Sequence, residues 1–164
     1  MQTLQNKKIK TLSIFAIGTL IIGLMTAYVS FALFPLERTY NLPKIYPPLW
    51  VFWLVWVILY PTMGLAAAHI WLKRKEFDVR GAMIFYVSIL LTNFMFLPIA
   101  NISNGNPAIM TFMDINGVLT SLLLGWIFSR YSKVAYYYLL PLILWMPITA
   151  IFKIALWVSN PVHF

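Results

Sequence analysis

Asp114 and Lys153 each lie inside a stretch of otherwise apolar residues, and Asn93 lies inside a third. An ionisable group in such a stretch is costly, and it normally faces a bundle interior or a cavity rather than lipid. Indoles accompany these polar groups. Trp50, Trp53 and Trp56 with Tyr60 occupy one stretch, and Trp145 and Trp157 occupy the one that carries Lys153. Trp145, Thr149, Lys153 and Trp157 recur every four residues, a spacing that predicts one shared helical face, and Trp53, Trp56 and Tyr60 predict a similar stripe. Flat aromatic faces beside a few polar groups suit a small-molecule site, in which rings stack on a planar guest and the polar groups orient it. Hydrolytic and metal chemistry find less to work with. The chain has no Cys, its two His are at 69 and 163, and Asp114 is the only carboxylate within an apolar stretch. That leaves no Ser-His-Asp set, no carboxylate pair and no metal cluster to read from the sequence.

Other readings compete at several of these positions. Trp50 and Trp53 are near enough to a span end to act as interfacial anchors. Asp114 and Lys153 could pair as a structural bolt, and Asn93 could serve interhelical hydrogen bonding. Intramembrane charge also permits a proton- or ion-coupled carrier built on Asp114 and Lys153. The absence of an evident inverted repeat or broken helix pair counts against that alternative.

The elements that must position these residues follow from composition. Of 164 residues, 62% are apolar and 10% charged, against about 45–50% and about 25% in soluble domains. A helical span needs about 20 apolar residues. Five such stretches are present, at about 11–34, 49–72, 81–100, 108–129 and 134–158. They are divided by Pro35, by Pro47-Pro48, by the cluster Lys73-Arg74-Lys75-Glu76, by the turn-rich segment from Asn101 to Pro107, and by Arg130 to Lys133. Helices are expected, because lipid leaves no backbone group unpaired and the alternation of membrane strands is missing. The expected architecture is all-α, one integral membrane bundle of five transmembrane helices.

The net charge of +8 would suggest nucleic acid in a soluble protein. Here the cations fall between apolar runs, so they read as topology, with the bilayer as partner and no nucleic acid. Lys7, Lys8, Lys10, Lys73, Arg74, Lys75, Arg80, Arg130 and Lys133 collect on one side, with Arg38 and Lys44 on the other. This places the N-terminus in the cytoplasm and the C-terminus outside. At about 1.5 Å of rise per residue, Asp114 lies about 9 Å from the outer end of its span, Asn93 and Trp56 about 10 Å, and Lys153 about 7 Å. Trp145 lies near mid-depth. The expectation is therefore a pocket opening outward beneath the first loop. Gly117, Ser121 and Gly125, spaced by four, form a small-residue strip for helix packing, either within the chain or at a homodimer seam.

The order of residues resembles the TspO/translocator protein family, also called tryptophan-rich sensory proteins or peripheral benzodiazepine receptors. The resemblance rests on the first loop from Phe34 to Tyr40, on the run from Pro47 through Trp50, Trp53 and Trp56 to Tyr60, and on Asn93 with Pro98. Asp114 in the fourth span and Pro141 with Trp145 and Asn160 extend it. Departures include Tyr46 directly before Pro47, Phe96 in place of a helix-three Trp, Leu142 in place of a Tyr, and Lys153 where many members have Asn. The resemblance implies a protein that binds hydrophobic planar ligands such as porphyrins and other tetrapyrroles, sterols and benzodiazepine-type drugs, with roles in transport or stress regulation. A porphyrin or haem-type group would be a ligand, with no cofactor required. The implied site comprises Trp50, Trp53, Trp56, Tyr60, Asn93, Phe96, Asp114, Trp145, Thr149 and Lys153, with the first loop as lid. It also implies one enzymatic alternative, light-dependent porphyrin breakdown relayed through Trp56 and Trp145. Leu36, Tyr40 and Lys44 satisfy a loose pattern proposed for cholesterol contact.

Overall fold

In the computed structural model, which describes residues 2–34 and 39–161, five helices follow one another: α1 (Gln2–Leu33), α2 (Leu49–Leu72), α3 (Arg80–Ile102), α4 (Pro107–Ser129) and α5 (Lys133–Ser159). No strand occurs among the described residues. Each helix is long and apolar enough to cross a membrane. Pro35, Leu36, Glu37 and Arg38 of the first loop, and His163 and Phe164 of the tail, lie outside the described residues.

α1 starts well before the apolar run near Thr11, because Gln2 to Lys10 contains no breaker and Lys, Leu and Gln are good helix formers. Starts and stops elsewhere have local causes. Asn106 caps α4 by accepting from the Ala108 amide at 2.9 Å, with Pro107 in the first turn, where its missing N–H is no loss. Ser132 caps α5 by accepting from the Ala135 amide. Pro61, Pro98, Pro141 and Pro147 lie inside helices, as membrane helices tolerate when neighbouring helices surround the freed carbonyls.

The helices pack in the ring order α1, α2, α5, α4, α3, with α3 returning to α1 and also touching α2. Small residues set the tightest seams. A Cβ at Gly64 would meet the Phe15 carbonyl of α1, and one at Gly23 would enter the Tyr60 ring. On α4, a Cβ at Gly117 would collide with Met146 and one at Gly125 would come within 2.6 Å of Ile143; Ser121 between them is buried. The small-residue strip is thus used inside the chain against α5.

Two separate apolar clusters result. The larger joins Leu59, Met63, Tyr86, Leu90, Leu124, Phe128, Leu139 and Met146. The smaller joins Ala100, Met110 and Leu156, with Tyr40, Tyr46 and Phe96 packed on it. On α3, Asn93 falls between Leu90 of the large cluster and Ala100 of the small one; on α4, Asp114 falls between Leu124 and Met110; on α5, Thr149 falls between Met146 and Leu156. Three helices therefore contribute to one polar layer between two apolar ones.

Candidate functional site

The polar layer contains groups that the protein does not satisfy. Among the described residues, Asn93 Nδ2, Asp114 Oδ2 and Trp145 Nε1 are buried side-chain atoms without a hydrogen-bond partner. Leaving a buried polar group unpaired costs about 1–3 kcal/mol, and such atoms are few in native proteins. The three atoms come from α3, α4 and α5, with Trp145 packed on the large cluster next to Met146. Thr149, 4% exposed, adjoins the Asp114 carboxyl while its own hydroxyl donates to the Met146 carbonyl at 2.9 Å.

Aromatic rings close the layer on the side of the first loop. Phe52 of α2 meets Trp145 edge-on at 5.9 Å between centroids, and Phe152 edge-on at 6.1 Å. Tyr46, from the loop, packs on both Phe52 and Phe152. Lys153 enters this collar. Its ammonium donates to the Tyr46 hydroxyl at 3.0 Å and lies 5.6 to 5.9 Å from the ring centroids of Tyr46, Phe96 and Phe52, within cation–π range. The charge reaches Asp114 electrostatically, but the two form no ion pair; among the described residues that contact is made by Lys73 and Glu76. Lys153 and Asp114 are therefore not a bolt. The lysine holds the loop, and the aspartate is left facing the polar layer.

The loop is tied down at two further points. The Tyr40 hydroxyl donates to the Gly105 carbonyl at 2.7 Å, reaching the α3–α4 turn, where Asn104 and Gly105 adopt positive φ. Asn160, at the end of α5, accepts from the Asn41 amide at 2.8 Å and returns a bond to the Asn41 carbonyl at 3.0 Å. Residues 40–46 thus form a strap across the end of the bundle, with side chains packed into the space beneath.

The residues expected from sequence separate into three groups. Lys153 and Thr149 act on Asp114, the Lys153 ammonium lies over Phe96, and Trp145 meets Phe52 of the collar, while Asn93 is half-buried on α3 with its amide nitrogen unpartnered. Trp56 is half-buried and packs against Tyr60 at 5.4 Å, while Tyr60 turns toward α1 at Gly23, so this pair lines the α1–α2 seam. Trp56 and Trp145 form no ring contact with each other; their nearest aromatic partners are Tyr60 and Phe52. Trp50 and Trp53, 63% and 38% exposed, face the outside of the bundle, as does Trp157 at 42%. A step of four residues overshoots a helical turn by about 40°, so a stripe of strict fours drifts off its face. The buried face of α5 instead runs through Trp145, Thr149, Phe152 and Leu156, alternating four, three and four. The sequence reading missed Tyr46, Phe52 and Phe152. Phe52 stands one turn before Trp56 and Phe152 two turns after Trp145, and both sit at helical spacing from indoles on their own helices.

A search of curated proteins finds no match. The profile of the TspO/MBR family, however, matches residues 11–158, nearly the whole chain. With five membrane-spanning helices and a match of that extent, this integral multi-pass membrane protein belongs to the TspO/MBR family.

Proposed function

We propose that the protein binds hydrophobic planar guests, of the porphyrin and tetrapyrrole, sterol or benzodiazepine type, in the polar layer beneath the strap, and that this binding serves their transport or a stress response. The supporting observation is the set of three unpartnered buried atoms. Asn93 Nδ2 and Trp145 Nε1 offer donors, and Asp114 Oδ2 an acceptor or, when protonated, a donor. A guest with polar atoms at its edge would satisfy all three, while its flat face would lie against Phe52, Phe96, Trp145 and Phe152. In the closed arrangement the Tyr46 ring covers Phe52 and Phe152 and is held by Lys153, so entry requires the strap to lift and Lys153 to release Tyr46. The freed ammonium then meets the guest, which favours one bearing a carboxylate.

Titration of the purified protein with protoporphyrin, followed by tryptophan emission, tests the reading. Saturable quenching that is reduced in Trp145→Phe and retained in Trp50→Phe supports it. Quenching that is non-saturable, or equal in both variants, contradicts it.

A further inference from the structure

A second surface feature stands away from the polar layer, at the corner where α2 hands over to α3. A cleft of about 800 Å³ there is lined by Trp71, Phe77, Met83 and Ile84, by the cations Arg74, Lys75 and Arg80, and by the carboxylates Glu76, which pairs with Lys73, and Asp78, which accepts from the Arg80 amide at 3.1 Å. It adjoins a groove of about 350 Å³ along α3, with Met83 and Ile84 bordering both, and the groove extends over Val87 and Leu91. The two halves differ in chemistry. Lys73 is neutralised by Glu76 at 2.8 Å, and Arg74 lies 4.8 Å from the Trp71 ring with one N–H on the Trp71 carbonyl. Among the described residues, the side-chain cations of Lys75 and Arg80 have no hydrogen-bond or ion-pair partner. The groove beyond offers aliphatic side chains and Ser88, whose hydroxyl is spent on the Phe85 carbonyl at 2.7 Å. Ile84 is 70% exposed and Leu91 58%, on a span whose outer face meets acyl chains. A mouth in which cations outnumber carboxylates, flanked by Trp71 and Phe77 and opening onto an apolar groove along a membrane helix, suits a molecule with an anionic head and an apolar chain.

We infer that the α2–α3 corner is a binding site for an anionic phospholipid, its phosphate held by Lys75, Arg80 and Arg74 and one acyl chain laid along Ile84, Val87 and Leu91. A zwitterionic lipid carries an ammonium that these cations repel. A soluble phosphate ester lacks the chain that fills the groove. Juxtamembrane cations attract anionic headgroups by roughly fivefold each, so two unpartnered ones would give about twenty-fivefold, which the Asp78 carboxylate in the same lining lowers to on the order of tenfold.

Native mass spectrometry of the full chain in detergent, with phosphatidylglycerol and phosphatidylcholine of matched chains, reads this preference directly. The expected result is about tenfold more phosphatidylglycerol retained, falling below about twofold in Lys75→Gln/Arg80→Gln and unchanged in Lys44→Gln at the opposite end. Circular dichroism checks that the variant keeps its helicity; should it not, the single changes Lys75→Gln and Arg80→Gln carry the same comparison. Equal retention of the two lipids, or a preference that survives loss of both cations, overturns the inference. Displacement of the lipid by equimolar glycerol 3-phosphate overturns it too, because the groove would then contribute nothing.

Discussion

Lys153 of α5 donates to the hydroxyl of Tyr46 in the first loop across 3.0 Å, although 107 residues separate them. This contact couples a lysine well inside α5 to the strap that covers the polar layer. A hydrogen bond from a charged donor contributes about 1.5–3 kcal/mol, against about 0.5–1.5 kcal/mol for each neutral tie of Tyr40 and Asn160. The strap is therefore held by a few discrete bonds that a guest with its own acceptor can replace.

Tyr46→Phe keeps the ring packed on Phe52 and Phe152 and removes only the hydroxyl. The strap should open more often, by about tenfold or more, seen as faster amide hydrogen exchange over residues 39–48. Unchanged exchange in that segment would mean that the lysine does not hold it.

Asn160→Ala removes both bonds to Asn41 together with the bond from Nδ2 to the Leu156 carbonyl. Exchange should rise most at the Asn41 amide, by about five- to tenfold. Because Asn160 is remote from the polar layer, the affinity of the open site for protoporphyrin should change less than the rate of its entry, as stopped-flow quenching would resolve.

Asp114→Leu should separate stability from binding. The carboxyl is 7% exposed with one oxygen unpartnered, and replacing an imperfectly paired buried polar group with an apolar one of similar size is near neutral or stabilising. The unfolding midpoint in detergent is expected to hold or rise, while protoporphyrin affinity falls by about tenfold or more. A lowered midpoint with intact affinity would make Asp114 a structural residue.

Gly64 and Gly18 give opposite outcomes on the same substitution. A Cβ at Gly64 meets the Phe15 backbone, which cannot yield, and the Thr19 hydroxyl that hydrogen-bonds with Tyr86 at 2.6 Å. Gly64→Ala should destabilise by about 1–3 kcal/mol. At Gly18 nothing lies within 4 Å, so Gly18→Ala should gain about 0.5–1 kcal/mol from the lost freedom of glycine. Thermal unfolding of the two variants checks the pair.

The five helices were legible because hydropathy and breakers act locally. Pro48, Asn106 and Ser132 start helices for reasons visible within a few residues. Asn93 and Asp114 stood out for a different reason: a polar group at that depth is costly, so depth alone marked them as candidates. What the sequence hid is which side each helix turns to its neighbours. Tyr60 joins the α1–α2 seam because Gly23 leaves room for its ring, a relation between residues 37 apart that no periodicity within α2 contains. The drift of a four-residue stripe carried Trp157 off the face that Trp145 occupies, and Leu156 took its place. Tyr46 could not be placed at all, since its partners lie on α5 and its segment has no helical period to read.

The central claim is that a guest completes the polar layer, and a structure of the protein with protoporphyrin bound tests it most directly. The account predicts the ring under a displaced strap, with polar atoms within hydrogen-bond distance of Asn93 Nδ2, the Asp114 carboxyl and Trp145 Nε1, and Lys153 turned from Tyr46 to a propionate. A ring bound on the outer face at Trp50 and Trp53, with Tyr46 still on Lys153, would contradict it.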